Sequence, residues 1–193
     1  MEDWVLRGLA RWPNVPALFG WLGLDRRGRW LIKGEVISRL QIIDTINRNY
    51  AADEAGRWYF QNGPQRGYVN LEVAPLVLHA PESGETLLTH TELAVTRPEA
   101  AYLDAEGSVL LATEHGPGLI ASADLDWLMQ RLAKGGEPLT ADQLEAALAL
   151  PSGADTGLNL HLCGQSLPLL RLDFSEAPAK LKFVRDPQSS NAV

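Results

Sequence analysis

The chain states one pattern twice. Residues 69–75 read VNLEVAP and residues 170–178 read LRLDFSEAP. In each, apolar and polar residues alternate, the period of a strand with one buried face, before an acid and Ala-Pro. Each also closes a longer series. In the first, a turn at Asp25, a strand (RWLIK), a helix over 38–50, a turn at Asp53 and a hairpin end in Ala74-Pro75. In the second, a turn at Asp104, a strand (SVLLAT), a helix over 122–134, a turn at Asp155 and a hairpin end in Ala177-Pro178. Order, turn type and closing dipeptide agree, which points to internal duplication. The expected fold is therefore α+β: two related units, each a small, mostly antiparallel sheet with a packed helix.

Local chemistry supports these elements. The D-x-x-G turns place an Asp that bonds its own backbone ahead of a Gly that accepts positive φ. Ser38 with Gln41, and Thr140 with Gln143, have capping-box spacing. Leu40, Ile43, Ile46 and Tyr50 recur at helical spacing and predict one buried face. Ser122 is expected to cap the second helix. Residues 87–96 and 180–184 read as strands, and WPNVPALFGWLGL as an ordered lead-in strand. Trp30 and Trp58 are expected in the core, with Arg29 and Arg57 adding to a basic patch on the opposite face. The pattern divides into 1–80, an N-terminal unit with a Trp/Pro-rich lead-in, and 81–187, a C-terminal unit with an inserted helix near 140–150. A disordered polar tail follows over 188–193.

Charge separates the halves. Residues 1–80 hold 10 Lys+Arg against 8 Asp+Glu, whereas residues 81–193 hold 7 against 16. The net charge of −7 argues against nonspecific nucleic-acid binding over the whole surface. One cysteine, Cys163, excludes an internal disulfide and fits a reducing compartment. The first residues lack the apolar core of a signal peptide, and no stretch is long enough to span a membrane, so a cytoplasmic protein without membrane contact is expected.

The layout, with GRWYFQNGPQRGYVNLEVAPLVL as its most distinctive stretch, resembles an uncharacterised bacterial domain-of-unknown-function family over most of residues 20–186. That resemblance implies a duplicated α+β core and a C-terminal domain superficially like a pleckstrin-homology fold. It also implies a ligand site where the two domains meet, a nucleotide or nucleic-acid-like ligand and a signalling role. It carries over no catalytic residues.

The residues themselves offer little chemistry. His79, His90, His115 and His161 lack metal-ligand spacing, so neither a metal nor a cofactor is expected. No glycine-rich phosphate loop is present. As a nucleophile Cys163 would need a nearby base, for which His161, two residues back, is the only local candidate, and a packed thiol explains it more simply. The best binding candidate is the hairpin QNGPQR: Gln61, Asn62 and Gln65 both donate and accept, and Arg66 can grip an anion through two bonds. The second is Trp12 with Asn14, held between prolines as a stacking platform. The reading is a non-catalytic ligand-binding or regulatory protein that holds a small anionic or nucleotide-like ligand at the interface of its two units. The alternative is a protein–protein interaction subunit or homodimer without a small ligand.

Overall fold

In a computed structural model, residues 17–81 and 86–189 are described, with Asp3 and Arg7 ahead of them. The polypeptide forms a mixed α+β structure with sheets of six and nine strands. It divides into two units, residues 1–75 with 182–193, and residues 76–181.

The first unit contains β1 (Leu18–Leu24), β2 (Trp30–Ile32), β3 (Glu35–Val36), α1 (Leu40–Arg48), β4 (Tyr50–Ala52), β5 (Trp58–Asn62) and β6 (Gln65–Leu71). Its sheet order is β3-β2-β1-β6-β5-β4, with β1 and β6 parallel and the other neighbours antiparallel. The second unit adds β7 (Leu76–His79), β8 (Leu88–Thr89), β9 (Pro98–Leu103), β10 (Val109–Thr113) and β11 (Gly116–Ile120). After a short 3-10 turn come α2 (Leu125–Met129), β12 (Leu132–Lys134), β13 (Glu137–Pro138) and α3 (Ala141–Leu148). The unit closes with β14 (Asp155–Leu162), β15 (Gln165–Arg171) and α4 (Ala177–Leu181).

Six strands of the second sheet run β11-β10-β9-β15-β14-β12. That is the order of the first sheet, and β9 is parallel to β15 as β1 is to β6. Connecting bonds recur too. Glu72 N–H donates to Leu24 O at 3.0 Å, and Leu172 N–H to Leu103 O at 3.0 Å. The segment β13–α3 interrupts the series between β12 and β14, where the inserted helix is expected.

The D-x-x-G turns explain the tight strand connections. Asp25 Oδ1 accepts from the amides of Arg27 and Arg29, both at 2.9 Å. Asp53 accepts from Ala55 and Arg57 at 3.0 and 2.9 Å, and Asp104 from Glu106 and Ser108, both at 2.8 Å. The glycines Gly28, Gly56 and Gly107 close them at φ 77, 75 and 86°. Two residues after the glycine a strand begins with its side chain inward: Trp30 and Trp58 are both buried. Arg29 and Arg57 do not form a basic patch, because each Nε is bound at 2.7 Å to the carboxylate of its own turn.

Several expected elements differ. Helix α1 begins after Arg39, not Ser38, and has no side-chain cap, because Ile37 N–H still pairs with Trp30 O and keeps the chain extended. Leu40 is 74% exposed, and of the expected face only Ile46 is fully buried. The helix at 122–134 shrinks to α2, since Leu132 and Ala133 pair with β14 instead; Ser122 gives no cap. Of residues 87–96 only Leu88–Thr89 is strand, because Glu92 at φ 67° turns the chain back. Residues 180–184 are not a strand of the second unit: α4 ends at Leu181, and Val184 bridges to Arg57 in the first. The Thr140–Gln143 capping box forms in both directions.

Candidate functional site

Trp12 and Asn14 lie outside the described residues. The hairpin QNGPQR forms at the expected place, with Asn62 opposite Gln65. Its polar groups are largely engaged with one another. Gln61 is fully buried, and its Nε2 donates to Gly63 O at 2.9 Å and Gln65 O at 3.3 Å. Its Oε1 accepts from Arg66 Nε at 3.0 Å, and the Arg66 guanidinium lies 4.5 Å from the Tyr59 ring centre. Arg66 is thus held flat against the sheet, with one donor used. Asn62 is exposed and Gln65 half-buried; both line a cleft of about 180 Å³ walled by Leu18, Trp21, Ile42, Ile46 and Phe60. That cleft is almost wholly apolar.

The second unit has a cleft at the corresponding point, where the tip of its hairpin meets the end of its helix. The correspondence is in the bonding: Gln61 N–H donates to Asn49 O at 2.9 Å, and His161 N–H to Arg131 O at 2.8 Å. This second cleft measures about 480 Å³, within the range of small-molecule sites. Its lining includes Gln130, Arg131, His161, Cys163, Gln165 and Ser166, and among the described residues no carboxylate lines it. Arg131 is positioned by two contacts: Nη1 donates to Trp127 O at 3.0 Å, and the guanidinium lies 3.8 Å from the Trp127 ring centre.

Cys163 occupies the tip of this hairpin at φ 51°, followed by Gly164 at φ 70°, the paired positive values of a type I′ turn. Its Sγ donates to Val95 O at 3.3 Å. The histidines do not converge. His79 faces Asp124 at 3.7 Å, His115 Nε2 is bonded to Ala94 O at 2.9 Å, and His90 Nδ1 accepts from Val77 N–H at 3.2 Å. Burial, with the charge of His79, pushes the His90 pKa down to about 3, so the ring is neutral. Among the described residues no three His, Cys, Asp or Glu side chains cluster as metal ligands.

Residues 1–188 match the family model described as "Protein of unknown function (DUF2946)". The chain belongs to this family. Among solved structures it is similar to a DUF1285 family protein from Silicibacter pomeroyi DSS-3, at 17% identity and a TM-score of 0.54 over 84% of this chain and 86% of that one. At that identity the likeness shows a shared fold. A DUF1285 family protein from Shewanella baltica OS155 is also matched, at 16% identity and a TM-score of 0.42 over 53% of this chain and 85% of that one. No curated protein matches. Sequence reasoning selected the hairpin tip at 61–66; the structure also sets Arg131, Gln165 and Ser166 around a cleft at a second hairpin tip, which the sequence reading did not single out. The available signal was an offset: residues 61–66 and 161–166 hold equivalent positions in their sheets.

Proposed function

We propose that the chain is an internally duplicated, non-catalytic binding protein whose second unit holds a small anionic ligand, nucleotide-like in size, in a regulatory role. One observation carries this reading. In the half of the chain where acids outnumber bases by 16 to 7, the cleft beside the hairpin tip is lined, among the described residues, by no carboxylate and by one fixed guanidinium. Arg131 is held by its Trp127 contacts before any ligand arrives, which lowers the entropy lost on binding. Gln130, Gln165 and Ser166 add neutral groups that both donate and accept. The shared strand order and matching bonds support the duplication in this reading.

The test is a thermal-shift screen of phosphate, dicarboxylates and nucleotides against the wild type and Arg131→Gln. At least one anion should raise the wild-type melting temperature and leave the variant unmoved. The reading fails if no anion shifts the wild type, or if the shift survives in the variant.

A further inference from the structure

We infer that the apolar cleft of the first unit is a second binding site, for a small neutral aromatic ligand carrying one polar group. The inference goes beyond the anion site and does not depend on it. What opens the cleft is a missing side chain. Gly67 lies inside β6, paired with Leu18 on one side and Phe60 on the other. Its φ is not positive, so the backbone does not demand glycine there. The bulge between Leu18 and Leu22 is taken up on β1, where Gly20 has φ 71°. Beyond its chain neighbours, a Cβ on Gly67 would meet only Phe60 O, at 4.0 Å, so no closely approaching backbone demands glycine either. A glycine inside a strand weakens it, and where neither a bulge nor a close backbone needs one, room for a ligand remains.

The second unit shows the same position filled. Phe60 faces Gly67 across the first hairpin, and Leu160 faces Leu167 across the second. Leu167 is 7% exposed, part of the core. Glycine in place of that leucine leaves a cleft of about 180 Å³ against Ile42, Ile46 and Phe60. An apolar cavity of about 150 Å³ admits benzene, so this cleft suits one aromatic ring. Among the described residues no charged side chain lines it, and an unpaired charge would lose its hydration there, so the ligand is neutral. Asn62 and Gln65 at the edge both donate and accept, which orients one polar atom on the ring. Trp21 and Ile32 at its mouth are 52% and 44% exposed, so a ligand enters from solvent without opening the fold. A protein partner needs roughly 800 Å² on each side; a hollow one ring wide encloses a small molecule but gives a protein only an anchor point.

The test titrates the full chain with phenol and follows its amide signals by NMR. Phenol should shift the amides of Ile42, Ile46 and Phe60, and benzoate, the same ring with a charge, should leave them in place. Gly67→Leu, which installs the residue of the second unit, should abolish the phenol shifts. Gly67→Ala, a smaller change that only narrows the cleft, should weaken phenol binding several-fold. The inference is overturned if phenol leaves the wild type unmoved, if benzoate shifts the same amides as strongly, or if either variant binds phenol like the wild type. Sedimentation showing a dimer that Gly67→Leu dissociates would assign the cleft to a second copy and overturn it as well. No readout involves Arg131, so the anion site can fail while this one stands.

Discussion

Arg131 lies against Trp127, its guanidinium 3.8 Å from the ring centre, and takes the Trp127 carbonyl as its acceptor at 3.0 Å. Two contacts from one residue fix the direction of the guanidinium in the cleft lining. A cation–π contact at such a site contributes about 1 kcal/mol. Trp127→Leu keeps Arg131 and the backbone acceptor but removes the ring. Calorimetric titration with the best anion from the screen should show affinity about fivefold weaker, against near-complete loss in Arg131→Gln.

Glu114 makes the stability of the second unit sensitive to acid. Partial burial opposes its ionisation, but the Thr96 N–H at 2.6 Å, the Thr96 hydroxyl at 2.8 Å and the Arg97 N–H at 3.0 Å outweigh it and hold its pKa down to about 2. Because the folded value lies below the unfolded one, the contribution is complete above the ordinary glutamate range and fades as pH falls toward 2. Glu114→Gln should lower stability at pH 7. It should also flatten the acid limb of a urea-midpoint profile between pH 4.5 and 2. An unchanged limb would mean that the carboxylate contributes nothing.

Gly56 and Gly107 close turns of the same D-x-x-G type but differ in surroundings. Both have positive φ, at 75 and 86°, so alanine at either costs about 1 kcal/mol or more. A Cβ on Gly107 meets nothing, whereas one on Gly56 collides with the carbonyl of Lys182. That carbonyl begins the returning segment, where Val184 N–H donates to Gly56 O at 2.9 Å and Leu71 N–H to Arg185 O at 2.9 Å. Gly56→Ala should therefore lower the melting temperature more than Gly107→Ala. It should also speed hydrogen exchange at Val184 and Leu71, which the second substitution leaves protected.

Gln61 is a structural residue of the first hairpin. Gln61→Leu leaves the Gly63 carbonyl and the Arg66 guanidinium without this side-chain partner, and an orphaned buried polar group costs about 1–3 kcal/mol. Chemical denaturation should show a loss of about 2 kcal/mol. Asn62→Ala, at the exposed neighbouring position, should stay near the wild-type value.

What could be read from sequence was local. The D-x-x-G turns, the burial of Trp30 and Trp58, and the Thr140–Gln143 capping box each depend on groups within a few residues, so composition and spacing suffice. The succession of turn, strand, helix, turn and hairpin in each half was legible for the same reason, whereas the parallel pairing of β1 with β6 and of β9 with β15 joins distant segments and was not. The Ser38–Gln41 box failed because Trp30, eight residues earlier, still holds the chain extended at Ile37.

The site was not legible because its chemistry depends on long-range partners. In sequence, Gln61 and Arg66 look like a waiting anion grip; in the fold they bind each other, and the free-standing arrangement is Arg131 beside a hairpin tip more than 30 residues further on. Likewise nothing local sends Lys182–Asp186 to the first unit. Phe183 is buried there, and Asn70 Nδ2 holds Asp186 at 2.9 Å across more than 100 residues of chain. Sequence alone determined which turns, strands and caps could form, because those are short-range hydrogen bonds. The tertiary structure decided which polar groups were consumed and which stayed open in a cleft, because satisfaction of a polar group is settled only by what packs against it.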